Sequence, residues 1–316
     1  MEKNTLVTKF SDGETIDLND LSVNELYELH YQEESYVVKE ILKLPPFSIE
    51  RDQLLKDGYV FVFKLMSLRD IKEFGTPQET FGSGRASANA LIKLINKKIK
   101  SHKQSKINFC EIGVGTGFTI RKILESIKGV DLHIQGCDIR VAPSALQLVN
   151  DFPNVDIKDM NAYEFIKSIP NNSIDVLYSD NVFEHFCPDE AVTIYDELIK
   201  KLKSEAILLI IIPNSYTGPH DIARRFLPMG TKSNCFHYNE MTFREVTDLF
   251  ESYGVYQKYC VSYIFKIHKF ILIKSKFFIN IKLRMENLLA KIPIKSFRFL
   301  LFYFLGYHVS ILEKRK

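Results

Sequence analysis

The feature that constrains this chain most is the turn Glu111-Ile-Gly-Val-Gly-Thr-Gly117, because of what stands on either side of it. Before it, Ile107 to Ile112 is a short apolar run of the kind that makes a buried strand. After it, Phe118, Ile120, Ile123, Leu124 and Ile127 repeat on one helical face, and Gly129 supplies a stop. A strand that passes straight into a helix needs glycine where φ is positive, and where backbone must touch a ligand closely. The helix then points its free N–H groups back at the turn.

The alternation continues downstream, in the manner of a parallel sheet. Leu132 to Cys137 reads as the second strand, Ala142 to Asn150 as a helix and Val155 to Lys158 as the third strand. Tyr163 to Ile169 makes one or two helical turns, ended by Pro170-Asn-Asn. Ile174 to Tyr178 is the fourth strand, Pro188 to Leu202 a helix, and Ala206 to Ile212 an apolar fifth strand stopped by Pro213. Thr242 to Tyr253 is a helix closed by Gly254, Val255 to Phe265 a sixth strand, and Tyr307 to Lys316 alternates as a seventh. Upstream, Leu6 to Phe10 and Thr15 to Leu18 flank an Asp-Gly turn and predict a small hairpin. Val23 to Leu42 is helical, Pro45-Pro46 stops it, and Ser48 can cap a short helix near Ile49. Phe81-Gly-Ser-Gly84 reads as a flexible break before a helix with Leu91, Leu94, Ile95 and Ile99 on one face.

The glycine spacing separates ligand classes. Dinucleotide enzymes usually set two residues between the second and third glycine, whereas here there is one, and no Gly-Lys-Ser/Thr follows to make a P-loop. On these residues, the stretch from 107 to 264 resembles the core of class I S-adenosylmethionine-dependent methyltransferases, with the turn similar to that family's first motif. The resemblance implies a Rossmann-like α/β sheet of seven strands, mostly parallel with an antiparallel last strand. Around that core, at 106–264, the sequence pattern sets a mainly helical accessory or lid region at 1–105, a basic amphipathic helical insertion at 265–305 and the final core strand at 306–316. The resemblance also implies S-adenosyl-L-methionine as cofactor, held at Gly113, Gly115 and Gly117. Glu111 would orient the methionine ammonium, and Asp138 would accept from both ribose hydroxyls. Asp159 would accept from the adenine amino group, while Met160 would cover the base and offer its N–H to a ring nitrogen. The stretch from Tyr178 through Ser179 to His185 resembles the family's fourth motif, which flanks the methyl group.

The cofactor of such an enzyme carries an already activated methyl carbon, so the protein must align an acceptor and, for a hydroxyl, remove its proton. His185, His220, His237 and Asp180 are the candidates, all expected at the carboxyl edge of the sheet. Each has a plainer rival reading: a helix-start histidine, two loop histidines, and a carboxylate standing one layer behind the methyl group. Ser-Asp-Asn-Val at the fourth motif departs from the pattern of amino-directed DNA enzymes, and no Pro-Cys pair follows a core strand. Paired acids are lacking after the fifth strand, where Pro213-Asn-Ser stands, so no metal is expected. The expected reaction is O-methylation of a small molecule, sugar or glycan precursor. A lipid or quinone acceptor is the alternative, and a non-catalytic cofactor-fold binding module is the alternative of another class.

Net charge is +3, too weak to argue for nucleic acid. Residues 265–305 nevertheless carry nine Lys or Arg against the single acid Glu286, interspersed with Ile, Leu and Phe and divided by Pro293. Cationic amphipathic helices suit an anionic membrane surface, and packing on the core or on a second subunit is the competing expectation. Five unpatterned cysteines, an N-terminus without the apolar stretch of a signal peptide and no run of 18 uncharged apolar residues lead to the expectation of a cytoplasmic protein, in peripheral contact with the inner face of the membrane at most.

Overall fold

The computed structural model describes residues 5–75, 84–264, 269–306 and 308–315. The break expected at Phe81-Gly-Ser-Gly84 lies, up to Ser83, outside the described residues, as do Phe265, Tyr307 and Lys316 at the ends of expected strands.

Two sheets form. A small hairpin pairs β1 (Leu6–Thr8) with β2 (Thr15–Asp17) across the Asp-Gly turn. The large sheet contains β3 (Lys106–Ile112), β4 (Asp131–Asp138), β5 (Val155–Asp159), β6 (Ile174–Asp180), β7 (Leu202–Ile211), β8 (Val255–Ile264), β9 (Lys269–Ile273) and β10 (Val309–Lys314). Its spatial order is β5-β4-β3-β6-β7-β10-β8-β9. β3 to β7 run parallel, while β10 is antiparallel to both β7 and β8.

The sheet thus has eight strands where seven were expected, and the extra one lies in the segment read as wholly helical. β9 pairs antiparallel with β8 from Lys269 to Ile273. Its sequence alternates: Phe270 is buried and Leu272 packs on the same core, while Ile271 between them is exposed. A period of two was hidden there inside an unbroken apolar run. Beyond it come the two helices that Pro293 divides, α9 (Lys276–Leu289) and α10 (Lys295–Phe304).

Side chains on the inner strands alternate between two cores. Phe109, Val176, Tyr178, Leu209 and Ile211 face one side, packed with Leu94 of α3 (Gly84–His102), Ile123 of α4 (Phe118–Ser126) and Leu148 of α5 (Pro143–Asp151). Cys110, Leu177, Leu208 and Ile210 face the other, packed with Ile166 of α6 (Ala162–Ser168), Leu198 of α7 (Pro188–Lys201) and Phe250 of α8 (Phe243–Ser252). Helices on both faces explain why these strands tolerate near-continuous apolar sequence.

The N-terminal region adds α1 (Val23–Ile41), opened by a Ser22–Glu25 capping box, and α2 (Ile49–Phe74). The helix expected to be short near Ile49 is 26 residues long. Ser48 Oγ accepts from Arg51 N at 3.2 Å to start it, and the left-handed Gly75 ends it. Its apolar positions fall in two clusters, Phe61, Leu65 and Leu68 with Leu26 and Leu29 of α1, and Leu55, Tyr59 and Val62 with Val37, Val38 and Ile41 of α1 and with Phe236, so no single stripe marks its length. Among the described residues no helix is long and apolar enough to cross a membrane.

Candidate active site

Chain order reverses between β3 and β6, and ligands in open α/β sheets bind outside the carboxyl ends of strands at such a reversal. A cavity of about 1550 Å³ opens there. That exceeds the ~300–1,000 Å³ of a typical single-ligand pocket, leaving room for two molecules side by side.

The glycine turn forms its floor. Gly113 N and Val114 N both donate to Cys137 O, at 2.9 and 3.1 Å, which ties the turn to the tip of β4. Gly113 has φ 83°, and a Cβ there would overlap the Val182 side chain. Nothing stands within 4 Å of the position a side chain would take on Gly115, so that part of the turn is open to a ligand. Gly117 serves packing instead: a Cβ would come to 2.7 Å from Leu148 Cδ1, and the residue does not line the cavity.

Asp138 stands at the tip of β4. Its Oδ2 accepts from Gly115 N at 2.8 Å and its Oδ1 from Arg140 N at 3.0 Å, so the carboxylate is held with lone pairs still free for two donors. Burial pushes its pKa up against these bonds. Asp159 is its register partner on β5, exposed and not a lining residue. Met160 lines the cavity, but its N–H donates to Asp138 O at 3.0 Å. The ring-nitrogen contact expected of that N–H is therefore corrected: the amide is already used to close the β4–β5 tips. Ser179 is fully buried within β6, with its hydroxyl unpartnered, and does not line the cavity.

Glu111, at the end of β3, is 3 % exposed, and its Oε2 has no hydrogen-bond partner. Burial first, then Asp180 and Asp138, push its pKa well above the carboxylate range. A buried carboxyl facing two other carboxyls lacks a cation, and an ammonium group fits that need.

The four candidate acceptor-side residues all line the cavity. Asp180 Oδ2 accepts from the Tyr178 hydroxyl at 2.9 Å, and Ser87 Oγ, 3.3 Å away, joins the same chain of bonds. The His185 and His237 rings meet edge to face with centroids 4.6 Å apart. Their environments diverge. His185 is held neutral, chiefly by burial and then by the neighbouring His237; the Phe236 backbone accepts a bond from its ring, and Nδ1 is left bare. Burial opposes charge on His237, but the Glu240 bond and the Glu184 and Asp221 carboxyls outweigh it and raise its pKa to about 9. Glu240 Oε1 meets His237 Nδ1 at 3.2 Å and His220 Nδ1 at 3.1 Å. His220 Nε2 lies 3.0 Å from Thr217 Oγ1, so both of its nitrogens are engaged.

Sequence reasoning missed Glu240 and Glu184. Glu240 follows His237 by three residues, a short spacing that could have flagged it as the partner orienting the ring. Glu184 is fully buried with both carboxyl oxygens unpartnered, and burial pushes its pKa up to about 8. Among the described residues, two groupings bring ligand-type atoms within 4.8 Å of one another, as a metal ion would need: Glu184, His185 and His237, and Glu34, Asp221 and Cys235. The remaining walls come from outside the core. α2 contributes Leu55, Tyr59, Phe63 and Met66, with Tyr59 stacked on Phe236 at 4.5 Å, and α10 contributes Phe299, Phe302 and Tyr303.

Residues 110–210 match the family described as methyltransferase domain. No curated protein matches the chain. Among solved structures, the chain is similar to the Burkholderia thailandensis 1,6-didemethyltoxoflavin-N1-methyltransferase, at 13% identity and TM-score 0.49, over 86% of this chain and 93% of that one. A phosphoethanolamine N-methyltransferase of Haemonchus contortus is similar at 13% identity and TM-score 0.46, over 86% of this chain and 61% of that one. A SAM-dependent methyltransferase of Archaeoglobus fulgidus is similar at 17% identity and TM-score 0.38, over 71% of this chain and 94% of that one. The family match over 110–210 falls on the strands that frame this cavity, where the glycine turn meets the β4 carboxylate at the chain reversal.

Proposed function

We propose that the protein transfers a methyl group from S-adenosyl-L-methionine to a hydroxyl oxygen of a small molecule, sugar or glycan precursor. The observation that carries this reading is the division of one cavity. Its floor has a buried carboxyl at Glu111, one oxygen of which is unpartnered, beside the Asp138 cradle, and a neutral histidine stands beside a charged one in its lining.

When bound, the cofactor supplies a methyl carbon activated by a sulfonium charge. Glu111 neutralises the cofactor's ammonium, Asp138 accepts from its ribose hydroxyls, and the side chain of Met160 packs on its base. His185, neutral and with a bare Nδ1, takes the acceptor's proton. His237, protonated and anchored by Glu240, holds positive charge beside the oxygen as that proton leaves. Two like groups whose pKa values are driven apart are the usual sign of divided acid–base roles.

Calorimetry with S-adenosylhomocysteine and with NAD is the first test, and binding of the former alone is expected. Incubation with methyl-labelled cofactor and a panel of hydroxylated and amine acceptors is the second. Label on oxygen that falls at least a hundredfold in His185→Gln supports the reading, and label on nitrogen alone defeats it.

A further inference from the structure

The insertion helices present faces that no other part of the described chain covers. On α9, Ile279, Lys282, Glu286 and Leu289 are buried along one side, while Phe277, Arg284 and Leu288 are exposed along the opposite side. On α10, Phe302 is buried, and Phe297, Leu300 and Phe304 are exposed at i, i+3 and i+7. Exposed Ile294 lies between the helices, and Lys274, Lys276, Lys291 and Lys295 are exposed around these stripes.

The sign of the surface is uniform. The one acid between 269 and 306, Glu286, is 0 % exposed, and its oxygens accept from Asn214, Phe243 N and Arg244 N. No negative side chain of this segment reaches solvent. Bulky apolar groups set among cations, with no anion between them, complement an anionic lipid interface, where the rings enter the acyl boundary and the ammonium groups meet phosphate. A second copy of the chain is a poor occupant, because a two-fold contact through this face would set cations against cations. Nucleic acid would satisfy the charge and leave the exposed rings in water.

The other side of α10 faces inward, turning Phe299, Phe302 and Tyr303 into the cavity. We infer that α9 and α10 dock the protein on an anionic membrane surface, which sets the mouth of the cavity beside the bilayer and selects acceptors that carry a lipid chain. The docking stands on the surface alone; the choice of acceptor rests on the methyl-transfer reading.

The test is co-sedimentation of the full chain with phosphatidylcholine vesicles, with and without added phosphatidylglycerol, at low and high salt. Binding that requires the anionic lipid and weakens with salt is expected. One variant neutralises Lys274, Lys276, Lys291 and Lys295 to Gln, and a second replaces Phe277, Leu288 and Leu300 by Ser. Each should lose about tenfold or more in vesicle affinity, while calorimetry with S-adenosylhomocysteine shows the fold and cofactor site unchanged. Absence of vesicle binding at low salt, or wild-type binding by both variants, overturns the docking. A dimer in sedimentation velocity that the Ser variant abolishes assigns the face to a second copy and overturns it as well. If vesicles bind but S-adenosylhomocysteine does not, the docking stands and the methyl-transfer reading falls.

Discussion

Glu111 and His237 show how single groups in this cavity are tuned in opposite ways. Glu111 is a buried acid without a countercharge, a local cost that a bound ammonium would remove. Glu111→Gln keeps the shape and deletes the charge. It should weaken S-adenosylmethionine binding by roughly 10–100-fold, the scale of a lost charged hydrogen bond, while the free protein melts at the same temperature or higher. Calorimetry and thermal unfolding read the two effects separately. His237 has its countercharge in place. Its folded pKa, about 9, lies above the usual histidine value of 6.5. Its contribution to stability is therefore fully present below pH 6.5 and fades as pH rises through 9. The size is of order 3 kcal/mol from the shift alone. Glu240→Gln removes the principal anchor, so urea unfolding of the variant should lose less stability than the parent between pH 6.5 and 9. Parallel curves for the two proteins would refute the assignment. Of these groups, Glu111 was legible from its place at a strand end, and His237 only as a histidine in the loop before the Thr242 helix. Glu240 shares that loop, which has no period from which a side chain's direction can be read, so its spacing of three from His237 was the one signal it gave.

At the scale of elements, what was legible follows from how local the cause is. The five parallel strands and their helices stood out because each is bounded by its own glycine, proline or cap, and the inner strands are buried on both faces of the sheet. β9 and the length of α2 were not legible, because both depend on partners outside the element itself: β9 on the edge of β8, and α2 on two clusters that both include α1, one of them also Phe236. The lone acid of the basic segment is a case between these. Its identity stood out in the composition, and its role is visible only in three dimensions. Glu286 on α9 accepts from Phe243 N at 2.7 Å and Arg244 N at 3.0 Å, the free amides at the start of α8, and from Asn214 Nδ2 at 2.8 Å. A carboxylate at a helix N-terminus is well placed for the free amides and the dipole. This bond set fastens the insertion to the core. Glu286→Ala should cost about 2–4 kcal/mol in urea unfolding, the penalty for leaving buried donors unpaired. Amide exchange should speed up first in α9 and in the first turn of α8. A loss under 0.5 kcal/mol, the level of an ordinary surface substitution, would show that α9 is held by its apolar side alone.

Over the whole molecule, the cavity is a joint product of three stretches of chain that are remote in sequence. The parallel core provides its floor, the N-terminal helices one wall and α10 another. Hydropathy can reveal the floor, because a βα turn is local; it cannot reveal walls that form only when 49–74 and 295–304 fold back over the sheet. What holds the N-terminal wall is a small number of polar ties. Arg51, 3 % exposed, donates to Asp189 at 2.9 and 3.0 Å, to Glu190 at 2.9 Å and to Leu44 O, joining α2 to the start of α7. Asn161 Nδ2 adds a bond to Asp52 at 3.0 Å, and Phe47 stacks on Tyr163 at 4.1 Å. Asp189 remains partly exposed and can be rehydrated, so the cost of losing Arg51 falls below that of a fully buried pair, at about 2 kcal/mol. If α2 opens as a unit distinct from the sheet, Arg51→Met should raise amide exchange across 49–74 by about tenfold or more while leaving the strand amides of 106–211 protected. Affinity for S-adenosylhomocysteine should then drop several-fold, because Tyr59, Phe63 and Met66 would close over the ligand less of the time. Equal acceleration in α2 and in the strands would instead make the N-terminal helices and the sheet one cooperative body, with a cavity that admits its ligands by another route.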